Sequence, residues 1–429
     1  SFFQGAGPGE RSIFKKGERL RLAQLFVGDV ADSGATNTGA AKTSMPALEG
    51  YWKTLGQIQS GFFNPDVSPA PDDTRLTYSA IRGVLSSLND PYTRFLSPPQ
   101  YAEMLNENRG SFPGIGVQLG PDNGKIVIEQ VVPDSPASAA PLLPGDQILK
   151  IGETNLAGST AEAAGALLKG AEGAKVTLVI IRAGKTMTFT LTRREVSYPH
   201  FESKILDGGI GYMHLLMFDQ QAGDNIGKAL QHFQQAGVKG ILFDLRDNPG
   251  GLLNAAVDVA SKFIPPGTVV WVQERGGQRS SLATTTDAAK RSRLPLVLLV
   301  NHYSASASEI VSGAIKDTRS GTLVGLTTWG KGLVQEIIPL NDDSAIALTT
   351  AHYFTPNGSD INLKGVDPDV LKGHVVAEPD DTSAITQSVY TAEKASVDSE
   401  QLQEAITLLK QKISNVGAAS STVALKPAP

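Results

Sequence analysis

The sequence predicts a multidomain α+β and α/β protein, with a helical N-terminal region, a small β-rich module and an α/β core. The chain has 429 residues, which is too long for one ordinary domain. Short segments rich in Val and Ile crowd between Gly110 and Val196, whereas strands and helices alternate from Gly208 onward. Because such alternation is typical of helices packed on a largely parallel sheet, the core is expected to be layered.

The N-terminal part predicts a leader followed by helices. Residues 1–50 are expected to form a flexible leader, because Gly, Ser, Ala and Thr crowd between Val30 and Met45. Residues 51–108 form the helical region, since apolar residues recur at helical spacing from Thr77 to Leu88. Three prolines between Asn64 and Asp73 predict a loop within it.

The β-rich module spans residues 109–196. Its strands are short and bounded by Gly, Pro and Asp, and a helix at Thr160–Leu168 interrupts them, with Ser159 or Thr160 as its N-cap. This content in about 85 residues is typical of an independently folding unit. The predicted strands are Ile115–Leu119, Lys125–Val132, Gln147–Ile151, Val176–Ile181 and Met187–Leu191.

The α/β core spans residues 197–375, and a C-terminal segment spans residues 376–429. In that segment we expect one helix, Glu400–Ile413, before a disordered tail rich in Pro and Ala. The core is expected to contain strands at Ile210–Phe218, Gly240–Leu245 and Leu296–Val300, and helices at Gln220–Gln235, Leu252–Phe263 and Ser306–Ile315.

Composition excludes several classes of function. The net charge is −5, from 38 basic and 43 acidic residues, which disfavours a nucleic-acid partner. No stretch approaches 18 consecutive apolar residues, so no membrane span is expected. The absence of cysteine excludes disulfides and thiolate chemistry, and it fits an extracytoplasmic bacterial protein of the periplasm or cell envelope. Many cytosolic proteins also lack cysteine, so this observation leaves the compartment open. Ser1–Gly9 has no apolar signal core, so any targeting segment is expected to be absent from this chain.

The first chemical motif is NHYSASASEIVS, residues 301–312. Ser304, Ser306 and Ser308 follow an apolar strand and open a helix. A serine at a strand-to-helix turn has its hydroxyl exposed, and the helix N-terminus favours negative charge that develops nearby. The same serines would also serve as competing N-caps, and the motif alone favours that second interpretation.

The second motif is VGLTTWGKGLVQ, residues 324–335, in which Lys331 lies between two glycines. A lysine acts as a general base only if its pKa falls from ~10.4 towards neutrality. Burial lowers the pKa because it disfavours the ammonium form, and flanking glycines let the backbone pack closely enough to place the amine. A surface lysine in a hairpin is the alternative, which Gly-Lys-Gly by itself does not exclude.

The third motif is DLRDNPGGLL, residues 244–253, directly after an apolar strand. Consecutive glycines before a helix free backbone N–H groups to point at an oxyanion. A phosphate-binding loop is one alternative, but the Lys-Ser/Thr of that loop is missing. A purely structural turn is the other.

Other catalytic systems find little support in the sequence. None of the six histidines lies in a histidine-protease context, and there is no GxSxG elbow. The HExxH pair of zinc peptidases is also missing. By elimination, a hydrolytic serine in this chain would need lysine as its base.

Together, these motifs resemble the carboxyl-terminal processing peptidases, also called tail-specific proteases. The segment YSAIRGVLSSLNDPYTRFLSPPQY, the β-rich module, DLRxNPGG, SASASE and GKGxxQ follow one another in the order of that family. The resemblance covers the chain from about Tyr51 to the helix at Glu400–Ile413. It implies a crotonase-like α/β protease core with an inserted PDZ domain and a helical N-terminal region.

The resemblance also implies the roles of five residues. Ser306 would be the nucleophile and Lys331 its general base, and Gln335 would orient the lysine. The N–H groups of Gly251 and Ala307 would form the oxyanion hole. The chain departs from the family pattern at three positions outside these roles, namely Leu326, Trp329 and Asn89.

The module itself resembles a bacterial PDZ domain. Its carboxylate-binding loop corresponds to Gly114, Ile115, Gly116 and Val117. In such a domain, backbone N–H groups bind a terminal carboxylate while an extended peptide adds as a strand. Leu167 and Leu168 are candidates for the side-chain pocket, although each would equally serve as ordinary core.

The implied activity is that of a serine endopeptidase, which cleaves proteins near their C-termini after the PDZ domain has bound an apolar tail. No metal or organic cofactor is implied. The alternative is a non-catalytic PDZ adaptor on a protease-like scaffold. An HtrA-type protease is disfavoured, because there the PDZ domain follows a His-Asp-Ser core. A homo-oligomer or a separate adaptor protein remains open as a partner.

Overall fold

The computed structural model describes residues 46–63, 72–122, 125–197, 200–286, 291–376 and 384–423. Almost all of the expected leader, and the last six residues of the expected tail, lie outside the described residues. Among the described residues, no helix is long and apolar enough to cross a membrane.

The N-terminal region contains helices, as its periodicity predicts, and also one strand. The elements are α1 (Pro46–Gly61), α2 (Asp73–Ser86), β1 (Arg94–Leu96) and α3 (Pro98–Arg109). Asp72 caps α2, since its carboxylate accepts a hydrogen bond from the backbone N–H of Arg75 at 2.7 Å. Strand β1 was not predicted, because three residues carry no readable period; it pairs with the core.

The β-rich module follows as expected. Its elements are β2 (Ser111–Gly114), β3 (Val117–Asp122), β4 (Lys125–Val131), α4 (Pro136–Ala139), β5 (Gln147–Ile151), β6 (Thr154–Asn155), α5 (Ala161–Leu168), β7 (Lys175–Arg182), β8 (Lys185–Thr192) and β9 (Arg194–Ser197). The sheet has the order β3-β4-β5-β7-β8, and β6 pairs with β5. Thr160, one of the two predicted N-caps, accepts from the N–H of Ala163. Strands β2 and β9 pair with each other where the chain enters and leaves the module.

The core contains the predicted, largely parallel sheet. Its strands are β10 (Phe201–Leu206), β11 (Ile210–Leu215), β12 (Gly240–Asp244), β15 (Leu296–Val300), β16 (Thr322–Gly325) and β19 (Val370–Leu371), in that spatial order. Only the β10–β11 pair is antiparallel. Every residue of β12 and β15 is buried, which explains why both strands are continuous apolar runs. Helices α6 (Ala222–Gln235), α7 (Leu253–Ser261) and α8 (Ala307–Asp317) pack on one face.

A second, antiparallel sheet completes the core. Its strands are β1, β13 (Thr268–Glu274), β14 (Arg279–Ala283), β17 (Leu333–Pro339) and β18 (Ala345–Phe354). Strand β18 pairs with β1, β13 and β17, so it joins the N-terminal region to the segment that follows Lys331. Helices α7 and α8 contact β13. This sheet brings together segments about 250 residues apart, which local sequence patterns do not reveal.

The C-terminal helix is longer than predicted. It runs as α9 over Ala384–Val423 instead of Glu400–Ile413. Ala405 and Leu409 pack on the other face of the parallel sheet, which accounts for the predicted part. The earlier turns are held by polar contacts of Lys394 and Asp398 and carry little apolar periodicity, so the sequence pattern missed them.

Candidate active site

Two loops meet at the carboxyl ends of neighbouring parallel strands. Strand β12 ends at Asp244 and β15 ends at Val300, and these strands pair directly. The loop after β12 carries the NPGG motif, and the loop after β15 carries the three serines. Ligand sites of open α/β sheets are found in this position, because adjacent strand ends bring their loops together.

The three serines differ in what their hydroxyl groups bind. Ser304 donates to the carbonyl oxygen of Leu245 at 2.8 Å, and Ser308 donates to that of Asn248 at 2.9 Å. Both side chains therefore tie the serine loop to the NPGG loop. The Ser306 side chain makes neither of these contacts, so it is the serine that the fold does not use for loop packing.

Ser306 has an unusual backbone conformation. It lies at the N-cap of α8 with φ 54° and ψ −109°, where few residues other than glycine are found. A strained residue of this kind persists only where its surroundings fix it, and such residues cluster at active sites. The predicted exposure of its hydroxyl is wrong for this conformation, because Ser306 is only 5% exposed.

Asn248 of the NPGG motif fixes the NPGG loop and the serine loop relative to each other. Its Nδ2 donates to the carbonyl oxygen of Leu215 at 2.7 Å, and its Oδ1 accepts from the N–H of Gly250 at 2.8 Å. Its backbone carbonyl accepts from the N–H of Ala305 at 3.0 Å, in addition to the Ser308 hydroxyl. The side-chain nitrogen, the side-chain oxygen and the backbone carbonyl of this fully buried residue thus all have hydrogen-bond partners. They fix the loop more firmly than a turn alone would.

Gly251 and Ala307, the two residues expected to form the oxyanion hole, lie one on each loop. Gly251 has φ 138°, and a Cβ at this position would lie 2.3 Å from the carbonyl oxygen of Phe218. Its neighbours are held on both sides, since Phe218 accepts from the N–H of Leu252 and donates to Gly250. Ala307 is the first residue of α8, where backbone N–H groups have no partner within the helix.

If Gly251 is the expected oxyanion donor, Gly251→Ala should lower kcat/KM by about 100-fold or more, because a methyl group must move the backbone that carries this N–H. The matched control is Gly237→Ala after α6: Gly237 also has positive φ, 70°, but a Cβ there would meet nothing within 4 Å. That control should cost some stability and leave turnover unchanged. Equal kcat/KM for both variants, measured on a peptide substrate, would remove Gly251 from the site.

Lys331 is buried, so it is not a surface hairpin lysine. It is 1% exposed, and the flanking glycines lie against other backbone: a Cβ at Gly330 would lie 2.8 Å from the nitrogen of Lys364. Burial holds the pKa of the Lys331 amine well below its ordinary value, and the positive charge of Arg94 lowers that pKa further. The negative charges of Asp90 and Glu309 oppose the shift.

Gln335 lies on β17, four residues after the lysine, and is also buried. Its Nε2 donates to the hydroxyl of Thr349 at 3.1 Å, which fixes the amide plane. Its Oε1 is buried and has no hydrogen-bond partner among the described residues. A buried amide oxygen of this kind is suited to accept from an ammonium group.

Glu309 is the residue that the sequence motifs did not single out. Its carboxylate is fully buried and accepts four hydrogen bonds, two at each oxygen. Oε1 accepts from the Thr328 hydroxyl and the N–H of Gly330, both at 2.6 Å; Oε2 accepts from the N–H groups of Ser306 and Lys331, both at 2.8 Å. One side chain thus joins the backbone of both expected dyad residues. The Ser-x-x-Glu spacing of a capping box was the available signal.

These loops and motifs have counterparts in known proteins. The family model described as peptidase family S41 matches residues 209–371, and the PDZ domain model matches residues 113–192. A carboxyl-terminal-processing protease of Synechocystis sp. is 38% identical over 311 residues, which is 71% of either chain. The chain belongs to peptidase family S41. Carboxy-terminal processing protease CtpB of Bacillus subtilis is 32% identical over 345 residues, covering 79% of this chain and 71% of its own.

Solved structures include a similar protein. The photosystem II D1 C-terminal processing protease is 28% identical, with a TM-score of 0.45, over 86% of this chain and 95% of its own. Membership of S41 makes the chain a serine-type peptidase with a PDZ domain, and it favours the peptidase over the non-catalytic adaptor. The α/β core and the inserted β-rich module agree with the fold class that the sequence predicted.

In this S41 peptidase a buried tyrosine lies beside both expected dyad residues. The Tyr353 phenol donates to the backbone carbonyl oxygen of Lys331. Burial raises the pKa of the phenol well above its usual value, as does the charge of Glu309, while a hydrogen bond from the Ser306 hydroxyl opposes the shift. Tyr353 therefore stays protonated over the range in which a buried lysine titrates.

The PDZ domain places its expected binding residues in one loop and one helix. Gly114 ends β2 and Val117 begins β3, with Ile115 and Gly116 between them. The carbonyl oxygens of Ile115 and Gly116 accept hydrogen bonds from within the domain, at 2.8 and 2.9 Å, which fixes this loop.

The two leucines predicted for the pocket differ in exposure. Leu168 is 5% exposed and belongs to the core of the domain, whereas Leu167 is 36% exposed. Both lie on α5, which contacts β3. Of the two, Leu167 has the surface that a ligand side chain would contact.

The C-terminal helix of the S41 peptidase binds the DLRD segment that precedes NPGG. Arg246 pairs with Asp244 at 2.6 Å and donates to the carbonyl oxygen of Asp398 on α9 at 2.7 Å. Lys394 of α9 donates to Asp247 and to Asp398, both at 2.8 Å. The loop is therefore anchored from two sides, by the sheet and by this helix.

Proposed function

We propose that this protein is an endopeptidase that cleaves proteins near their C-termini with a Ser306–Lys331 dyad. The observation that carries the dyad is the burial of Lys331, whose backbone N–H shares Oε2 of Glu309 with that of Ser306. Ser304 and Ser308, by contrast, donate their hydroxyls to the backbone of the neighbouring loop. Curated relatives are named carboxyl-terminal-processing proteases, which supports the same substrate class. An extracytoplasmic location, with a substrate tail bound by the PDZ domain, is part of the proposal.

The chemistry is acyl transfer in two steps. The neutral amine of Lys331 takes the proton of Ser306, whose oxygen attacks the scissile carbonyl carbon, and the N–H groups of Gly251 and Ala307 stabilise the oxyanion. The peptide C–N bond then breaks as the lysine ammonium returns its proton to the leaving amine. In the second step, Lys331 takes a proton from water, the hydroxide attacks the acyl ester, and Ser306 recovers its proton from the ammonium.

Gln335 has a supporting role in this proposal. With its Nε2 held by Thr349, its Oε1 is the end of the amide that would receive the lysine ammonium. That contact would hold the amine in place during both proton transfers. It would also stabilise the ammonium form that exists during each tetrahedral intermediate.

Tail recognition predicts that the terminal carboxylate and apolar side chains of a substrate raise kcat/KM. The test substrate is a folded protein with an apolar tail, supplied with a free or an amidated C-terminus. Amidation should lower kcat/KM about tenfold, because it removes the charge that backbone N–H groups bind. Leu167→Ser should raise KM several-fold for the free tail, whereas Leu371→Ser, an exposed leucine on β19, should not.

The Ser306→Ala variant separates binding from chemistry in this experiment. It should bind the free tail as the wild type does and release no product. Equal cleavage of both substrates would contradict tail recognition and leave the peptidase assignment intact. Cleavage by Ser306→Ala would contradict the dyad.

A further inference from the structure

The N-terminal region reaches the pocket of the expected general base. The segment NDPYTR, residues 89–94, precedes and enters β1, and β1 pairs with β18 through Arg94 and Ala347. The Thr93 hydroxyl accepts from the N–H of Thr349, the residue whose own hydroxyl holds Gln335. A segment about 240 residues before Lys331 is thus fixed against the strands that follow it.

Tyr92 of this segment contacts the reacting nitrogen of Lys331. The Nζ atom lies 4.5 Å from the centroid of the Tyr92 ring, within the range of a cation–π interaction. Such a contact has a preferred position over the ring, so it limits where the end of a flexible lysine can lie. It also favours the ammonium form of the amine.

Arg94 brings a second positive charge to the same pocket. Its Nη1 donates to the carbonyl oxygen of Tyr92 at 3.4 Å, which turns the guanidinium towards that residue, and its Nε is buried with no hydrogen-bond acceptor among the described residues. Burial lowers the pKa of Arg94 to about 10, against the charge of Glu107, so Arg94 remains charged at neutral pH. A second cation disfavours the ammonium form of Lys331.

The remaining charged and titratable groups that face Lys331 come from three elements. Asp90 of the same segment accepts hydrogen bonds from the N–H of Tyr92 and the hydroxyl of Thr93 at 3.1 and 2.6 Å, and its negative charge favours the ammonium form. Glu309 of α8 is committed to four hydrogen-bond donors. Tyr353 of β18 stays neutral. Arg94 is therefore the group in this set that opposes protonation of the amine by its charge.

We propose that Tyr92 and Arg94 are positioning residues for the general base: the Tyr92 ring places the Lys331 amine, and Arg94 supplies a second positive charge that disfavours its ammonium form. The proposal rests on the Ser306–Lys331 dyad. It assigns the helical N-terminal region a part in catalysis, although this region is far from Lys331 in the sequence. Truncation of that region would then remove one wall of the base pocket as well as a strand of the antiparallel sheet.

The experiment measures how the reactivity of the serine depends on pH. A fluorophosphonate probe forms an Oγ–P bond with Ser306 and loses fluoride while the base takes the hydroxyl proton, so its second-order rate rises with pH as Lys331 loses its proton. The curve of labelling rate against pH therefore has a rising acidic limb and a plateau at high pH. In Arg94→Met the pKa of the amine rises, so the limb should move up by about one pH unit while the plateau rate stays unchanged. In Tyr92→Leu the limb should move down by about half a unit.

Matched variants separate these effects from general damage. Arg94→Lys keeps the charge and Tyr92→Phe keeps the ring, so both should follow the wild-type limb. Arg82→Met removes an exposed charge from α2, whose arginine lies over the Phe95 ring, and should also leave the limb in place. A lower plateau without movement of the limb would indicate structural damage alone and would overturn the proposal.

The outcomes also separate this proposal from the dyad itself. If the wild type labels at a rate that Lys331→Met does not reduce, the dyad is wrong. If that rate depends on Lys331 but the Arg94→Met and Tyr92→Leu limbs coincide with the wild type, only the role of the N-terminal region is wrong. Should Arg94→Met fail to fold, the direction of the Tyr92→Leu shift decides.

Discussion

Ser306→Ala is expected to abolish peptide hydrolysis, with a loss of about 10,000-fold or more in kcat, because the attacking oxygen is removed. Folding should be little affected, since the variant keeps the Ser306 backbone N–H that binds Glu309. The relief of a positive φ is small, because alanine is no better suited to it than serine. The measurements are kcat on a tailed protein and the midpoint of urea unfolding.

Ser304→Ala and Ser308→Ala are the matched controls within the same loop. Each removes a fully buried hydroxyl that donates to a backbone carbonyl, at 2.8 and 2.9 Å, so each should cost about 1–3 kcal/mol of unfolding free energy. Both should keep measurable turnover because the nucleophile remains. Full activity in Ser306→Ala, or its loss in Ser304→Ala with stability intact, would contradict the assignment of the nucleophile.

Glu309→Ala is expected to remove both activity and much of the stability. Four donors, including the N–H groups of Ser306 and Lys331, would lose their acceptor in a fully buried place. We expect a cost of about 3–5 kcal/mol, a large share of the stability of an ordinary domain. The loop of Lys331 would no longer be tied to the start of α8, so kcat should fall about 100-fold or more in the fraction that stays folded.

Two further variants show whether the charge or merely the size of Glu309 matters. Glu309→Gln keeps the shape, but its amide nitrogen would face at least one backbone N–H donor in either orientation, so kcat should still fall while stability suffers less. Glu336→Ala removes an exposed carboxylate from β17 and should change neither quantity. A Glu309→Gln enzyme with wild-type kcat and an unchanged urea midpoint would contradict the positioning role.

Much of the fold was predictable because its signals are local. Strands β12 and β15 are buried on both faces and read as short apolar runs, and α6 has a clear apolar face. The length of α9 was not predictable in the same way. Its first turns are held by Lys394 and Asp398, which bind the loop before NPGG, and polar contacts leave no periodic pattern.

The residues of the candidate site also differ in whether a local sequence pattern reveals them. Ser306, Lys331 and the glycines of NPGG were found because each lies in a short motif of fixed spacing. Arg94 lacked such a signal because it acts through its charge. The Ser-x-x-Glu spacing of Glu309 indicated a capping box but not its hydrogen bonds to the loop of Lys331. Interactions of that kind depend on distances in space, which a single sequence does not record.

The sequence by itself determined the order of the motifs, the lack of cysteine and histidine chemistry, and hence a serine that would need lysine as its base. It did not distinguish Ser306 from its two neighbours without a family resemblance, nor a surface lysine from a buried one. The tertiary structure separates the three serines by what their hydroxyl groups bind, and it shows that Lys331 is buried. The hydroxyls of Ser304 and Ser308 donate to the backbone of an adjacent loop. Lys331 is buried, and it contacts Tyr92, Glu309 and Tyr353, which come from distant parts of the chain. Burial and hydrogen bonding set the chemistry of these groups, and both arise only when remote segments pack together.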